Sequence, residues 1–187
     1  MSRALFLRHG ESAHNAHSGA EALGEEDGDV LTERGRRQAR AAAAAVAGEG
    51  ATRLLTSPLC RARETADAVA EVLDLAPSVL PYAHELHGGE SFGDAVGRVR
   101  RLKAELEAGE PGALPLLVTH GIFTRLFLLD SLLGEELTAE RAAGIWHLGS
   151  HNCGLTVFAH GETRDPAGAE VAGWTCLTWM ARPWDPP

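Results

Sequence analysis

The chain has 187 residues, 44% of them apolar, and a formal net charge of −9. That length predicts one domain over 1–187 with a substantial core, and the negative charge argues against non-specific attraction to nucleic acid or an anionic membrane surface. Arg8 and His9 interrupt the first apolar run, and the apolar stretch 114–133 contains His120, Arg125 and Asp130, so neither a secretory leader nor a membrane span is expected. Cys60, Cys153 and Cys176 are odd in number and far apart, which predicts reduced thiols and a cytoplasmic protein rather than a disulfide framework. Oligomeric state carries no sequence signal.

In chain order, Ala4-Leu5-Phe6-Leu7 reads as a short buried strand that stops at the charged, glycine-containing turn Arg8-His9-Gly10-Glu11-Ser12. Residues 17–30 are rich in Gly, Glu and Asp without an apolar period and predict a mobile acidic loop. Thr32 caps an alanine-rich helix ending at Gly48 and Gly50. A second strand spans 52–56, followed by Ser57 as N-cap with Pro58 at the first helical position, which places Arg61 in the first turn of the next helix. That helix buries Leu59, Ala62, Ala66, Val69 and Leu73, and Ser78 to Leu80 is a further short strand.

Residues 82–90 combine titratable groups with Gly88 and Gly89 and show no period. Ser91 with Asp94 resembles a capping box opening a helix through Phe92, Val96, Val99, Leu102 and Leu106. Leu114 to Thr119 is the strongest buried parallel strand, running into His120-Gly121 and an apolar helix, Ile122 to Leu133. A short helix at 137–143 and two strands, Leu155 to Ala159 and Trp174 to Met180, joined by a loop from Gly161 to Gly173, complete the chain. The alternation predicts an α/β fold, a three-layer α/β/α sandwich with a mostly parallel central sheet.

His9, His120, Arg8 and Arg61 fall at the starts of three strand-to-helix connections, so in a parallel sheet they converge on one crevice. Four donors at one point suit a phosphate dianion, and the helix opening at Gly121 is expected to aim its N–H groups at the same pocket. Nearby arginines disfavour protonation of histidine, keeping one imidazole neutral and nucleophilic. A carboxylic acid near Glu85 completes metal-free phosphoryl transfer by protonating the leaving oxygen.

The motif Leu5-Phe6-Leu7-Arg8-His9-Gly10-Glu11-Ser12 with Asn15 resembles the signature of the histidine phosphatase superfamily, the phosphoglycerate mutase-like family. Leu31-Thr32-Glu33-Arg34-Gly35, Thr56-Ser57-Pro58-Leu59-Cys60-Arg61-Ala62, Gly89-Glu90-Ser91 and Val118-Thr119-His120-Gly121 follow in the family's order and cover most of the chain. The resemblance implies a phosphoglycerate mutase-like fold of the smaller phosphatase branch, with His9 as the nucleophile that becomes phosphohistidine. It further implies Arg8, Arg61 and His120 around the phosphate, Asn15 as a phosphate contact and Glu85 as proton donor, with Glu90 as the alternative donor. The chain departs from the pattern between Glu85 and Gly89-Glu90-Ser91, where the intervening segment is short.

The expected activity is a phosphomonoester hydrolase acting on a small phosphorylated metabolite, without metal or other cofactor and without nucleic-acid or membrane partners. A phosphoglycerate mutase is the alternative within the family. A catalytically weak module that binds a phosphorylated ligand is the alternative of another class, and a metal-dependent hydrolase stands third. His84 and His87 are the histidines placed best for a metal, but the sequence shows no third ligand beside them.

Overall fold

A computed structural model describes residues 2–18, 28–164, 166–182 and 184. Six strands, β1 (Ser2–Arg8), β2 (Arg53–Thr56), β3 (Pro77–Val79), β4 (Pro115–Thr119), β5 (Leu155–Arg164) and β6 (Glu170–Ala181), form one sheet in the order β3-β2-β4-β1-β5-β6. The first four are parallel, while β5 runs antiparallel to β1, and β6 to β5. Helices α1 (Ala13–Ser18), α2 (Glu33–Val46), α3 (Cys60–Leu73), α4 (Phe92–Glu107) and α5 (Gly121–Leu133) accompany it.

Period-two alternation in a strand covered on both sides explains the two cores. Leu5, Leu7, Leu116 and Val118 face α2 and α3, whose small residues Ala39, Ala42, Ala43, Ala62 and Ala66 allow close approach. Ala4, Phe6 and Leu117 face α4 and α5, where Phe6, Phe127, Phe158 and Trp174 stack with ring centroids 4.5–5.4 Å apart. The expected three-layer sandwich is therefore present, with the antiparallel hairpin at one edge making the sheet mixed.

This topology creates the site. The chain leaves β1 for α2 on one face and leaves the adjacent β4 for α5 on the other, so a crevice opens beyond their carboxyl ends. Arg8 is in register with Thr119, which puts the next residues, His9 and His120, side by side at that edge.

Several local expectations need correction. The turn after β1 contains α1, held by Ser12 Oγ and Asp29 Oδ1, which accept from the backbone N–H of Asn15 and His14. His17 and Ser18 therefore belong to α1, and residues 19–27, most of the stretch expected as an acidic loop, lie outside the described residues. Ser57 does not cap α3 directly: its backbone N–H still donates to Val118 O in the ladder, and the helix starts at Cys60 after Leu59. Ser91 does cap α4, accepting from Asp94 N–H at 3.1 Å, and its hydroxyl donates to the Asp94 carboxylate. The stretch expected as a loop from Gly161 to Gly173 is mostly strand, a polar ribbon extending past the core whose exposed faces leave no alternation to read.

Candidate active site

Three connections at the strand ends build the pocket from below. His9 N–H donates to Thr119 O at 3.0 Å and its carbonyl accepts from Cys153 N–H, which locks the residue between β4 and the approach to β5. Gly10 and Gly35 then lie back to back: a Cβ at Gly35 would sit 2.0 Å from Glu11 O, so only glycine lets α2 press against this turn. Glu11 holds that packing, accepting from Thr32 Oγ1 at 2.8 Å and Arg34 at 3.1 Å.

The His9 ring has one tautomer consistent with its partners. A carbonyl only accepts, so the 2.7 Å contact with Gly10 O puts the proton on Nδ1 and leaves the lone pair on Nε2. Arg61 Nε–H donates to that lone pair at 3.2 Å. Burial holds the His9 pKa well below the ordinary histidine value, and the guanidinium charges of Arg8 and Arg61 lower it further, against a smaller opposing effect of the Gly10 carbonyl. The expected neutral imidazole is thus present, with burial a larger cause than the arginines.

His120 is fully buried, its ring centroid 5.2 Å from that of His9. Its pKa is likewise well below the usual value, from burial first and then from neighbouring positive groups, among them the Arg61 and Arg8 guanidiniums. Ser57 Oγ lies 2.7 Å from His120 Nε2, while His120 Nδ1 is buried with no hydrogen-bond partner among the described residues. If the serine hydroxyl donates to Nε2, Nδ1 carries the proton and becomes a donor for an incoming anion.

Arg61 is 1% exposed and extends from the first turn of α3, with Asp29 Oδ2 3.5 Å from its Nη1. Arg8 Nη1 donates to Ser150 O at 2.9 Å. Asn15 Oδ1 accepts from Asn152 Nδ2 at 3.2 Å, and Asn152 also donates to His9 O at 3.3 Å, so Asn15 is tied to the His9 backbone.

Glu85 is 3% exposed and its carboxylate covers the start of α5, accepting from the N–H groups of Phe123 (3.1 Å), Ile122 (3.1 Å) and its neighbour Leu86 (3.0 Å). The expectation that α5 aims these N–H groups at phosphate is therefore corrected for Ile122 and Phe123. His120, the N-cap residue, offers no side-chain cap, and Glu85 supplies it from another loop. Thr119 Oγ1 donates to Ala83 O and Arg98 Nη1 donates to the carbonyls of Tyr82 and His84, which pins the loop bearing Glu85. Glu90 faces Arg98 in a two-pronged pair at 2.6 and 2.8 Å. Burial alone would raise its pKa, but the hydrogen bonds and charge of Arg98 outweigh that and hold it below the ordinary value.

The structure thus brings His9, Arg61, His120 and Glu85 to the ends of β1, β2 and β4, with Arg8 and Asn15 adjoining. Sequence reasoning missed the roles of Ser57, Asp29, Asn152 and Arg98. Ser57 read as a cap and Asp29 as one acid among many, and neither signal points to a histidine or arginine far away in sequence.

Similarity to known proteins agrees with this geometry. The profile of the histidine phosphatase superfamily (branch 1) matches residues 4–88 and 80–169. The chain is 30% identical over 189 positions to a protein of Photorhabdus laumondii named probable phosphoglycerate mutase GpmB, covering 83% of this chain and 84% of that one. Its counterpart in Yersinia enterocolitica is 31% identical, with 87% of each covered. Among solved structures, a mycobacterial glucosyl-3-phosphoglycerate phosphatase complexed with VO3 superposes with a TM-score of 0.76 at 25% identity, covering 97% of this chain and 100% of that one. A phosphoserine phosphatase mutant from Entamoeba histolytica shares the fold, with a TM-score of 0.75 at 19% identity and 97% and 98% coverage. With its paired histidines at the ends of β1 and β4 and the profile matched along most of its length, the chain belongs to the histidine phosphatase superfamily.

Proposed function

We propose that the protein hydrolyses small phosphomonoesters through a phosphohistidine on His9, with Glu85 as acid and then base and without a catalytic metal. One observation carries this reading: the neutral His9 ring, with Nδ1–H fixed on Gly10 O, holds its Nε2 lone pair against the Arg61 guanidinium. A bound phosphoryl group takes over the Arg61 donor and meets the lone pair. Nε2 attacks phosphorus, the P–O ester bond breaks toward the leaving oxygen, and the protonated Glu85 carboxyl supplies that oxygen with a proton. His120 Nδ1, Arg8 and Arg61 hold the phosphoryl oxygens, and Asn15 adjoins them. Water then attacks phosphorus while the Glu85 carboxylate takes its proton, which releases phosphate and regenerates His9. One domain over the whole chain and a cytoplasmic location, the latter resting on the three free thiols, complete the proposal.

The test is single-turnover labelling. Acid-labile, base-stable phosphate should appear on the wild type and not on His9→Ala, and hydrolysis should persist in the presence of chelator. An active His9→Ala protein would overturn the mechanism. A mutase reading is favoured by the names of the curated relatives, and it requires the phosphoenzyme to exclude water. Only residues 86–91 separate Glu85 from α4, a short cover that favours hydrolysis. Isomerisation of 3-phosphoglycerate without phosphate release would decide for the mutase, and phosphoester binding with no turnover would decide for a binding module.

A further inference from the structure

Outside the phosphate pocket, the same loop gathers a second set of chemically active groups. His84, His87 and Glu90 are spaced three residues apart, all half-buried, and each offers one ligand atom within 4.8 Å of the others. The third ligand that the sequence did not reveal is therefore supplied by the turn at Gly88 and Gly89, where Gly89 has φ +91°.

The surroundings resemble those of a metal site more than those of a chance contact. His84 Nδ1 is 2.9 Å from Glu85 O and His87 Nδ1 is 3.2 Å from Gly88 O. Carbonyls only accept, so both rings carry their proton on Nδ1 and leave Nε2 as a lone-pair donor. Anchoring the far ring nitrogen on a backbone carbonyl is the usual way in which a ligating histidine is oriented. The two ring centroids are 5.4 Å apart. Glu90 is oriented by Arg98, which uses one lone pair on each carboxylate oxygen and leaves the other on each for a cation.

We propose that His84, His87 and Glu90 form a binding site for a zinc-type divalent cation that clasps the loop carrying Glu85. Two imidazoles and a carboxylate match the preference of zinc, whereas magnesium and calcium demand more oxygens. Tetrahedral bonds of about 2.0–2.2 Å require ligand atoms roughly 3.4 Å apart, so a cation must draw the three half-buried side chains closer than the 4.8 Å within which they lie. Three protein ligands leave the fourth position to water. The Arg98 charge beside Glu90 opposes the cation, so binding is weaker than in a structural zinc site and reversible. The cation would tie residues 84, 87 and 90 together on both sides of Glu85 and so fix the loop from which the proton donor projects.

The experiment is a calorimetric titration of the chelator-stripped full-length protein with Zn²⁺, with Co²⁺ absorption as a reporter of four-coordinate geometry. The wild type should take up one equivalent, with no competition from Mg²⁺. His84→Asn and His87→Asn should each weaken binding by about tenfold or more, the double variant should abolish that equivalent, and the His160→Asn control should bind normally. Circular dichroism of each variant confirms that it is folded. A wild type that takes up no Zn²⁺, or a folded double variant that binds as the wild type does, would overturn the proposal. The readout needs no turnover, so failure of the hydrolase reading leaves this result standing, and the converse holds as well.

Discussion

Glu85→Gln probes the assignment on which the proposed chemistry turns, because the structure gives this carboxylate a capping task beside the acid role proposed for it. As a cap it accepts three backbone N–H groups, two on Oε1 and one on Oε2. A glutamine oxygen in the Oε1 place keeps the Leu86 and Phe123 bonds, but its NH2 then faces the Ile122 N–H. An unsatisfied buried donor of this kind costs about 1–3 kcal/mol, which for a domain of this size lowers Tm by roughly 2–4 °C per kcal/mol. As an acid, Glu85 lost should lower kcat/KM by about 10²–10⁴, and here the leaving group discriminates. An alkyl phosphate needs its departing oxygen protonated, while p-nitrophenolate leaves as a stabilised anion without help. Steady-state kcat/KM reports phosphoenzyme formation, so the full loss should appear with glycerol phosphate and a far smaller one with p-nitrophenyl phosphate. Equal losses on both substrates, in a variant still folded at the assay temperature, would refute the proton-donor role and leave Glu85 as a helix cap alone.

Three further outcomes are expected. Ser57→Ala removes the partner of His120 Nε2 at 2.7 Å, a loss of about 1–3 kcal/mol and hence roughly tenfold to hundredfold in kcat/KM. Ser57→Thr should recover most of it; if alanine performs as well as serine, the tautomer argument fails. Gly35→Ala drives a Cβ to 2.0 Å from Glu11 O and should cost about 3 kcal/mol by urea unfolding, whereas Gly97→Ala, a helical position with nothing within 4 Å, should stabilise by up to about 1 kcal/mol. Burial depresses the proton affinity of His9 and His120, so below pH 6.5 the unfolded chain binds protons that the folded one does not, and stability falls as pH falls. The slope approaches about 1.4 kcal/mol per pH unit for each histidine. Unfolding measured at pH 6.5 and 5.5 checks it, and a His9→Asn/His120→Asn variant that keeps the wild-type slope would contradict it.

What was legible in the sequence is what local chemistry dictates. The Ala4 to Leu7 and Leu114 to Thr119 runs alternate residues between two covered faces, so they are buried strands whatever surrounds them, and α/β layering follows from their alternation with amphipathic helices. Arg8, His9, Arg61 and His120 were legible because each lies at a strand end or in the connection that follows it, and parallel topology collects strand ends at one edge.

What only the tertiary structure decided depends on contacts between residues distant in the chain. Ser57 reads as a helix cap until β4 brings His120 to its hydroxyl, and Asp29 reads as one more loop acid until α3 delivers Arg61 beside it. Glu85 was found through a motif, but its seat on the first N–H groups of α5 depends on a fold that sets residue 85 beside residues 122 and 123. Likewise His84 and His87 gain Glu90 only through the reversal at Gly88 and Gly89 and the grip of Arg98. Propensity and periodicity act over a few residues, whereas these partnerships are set by which strand ends the sheet order makes neighbours. Sequence alone therefore determined the elements and singled out His9, and the folded sheet determined the groups that orient it.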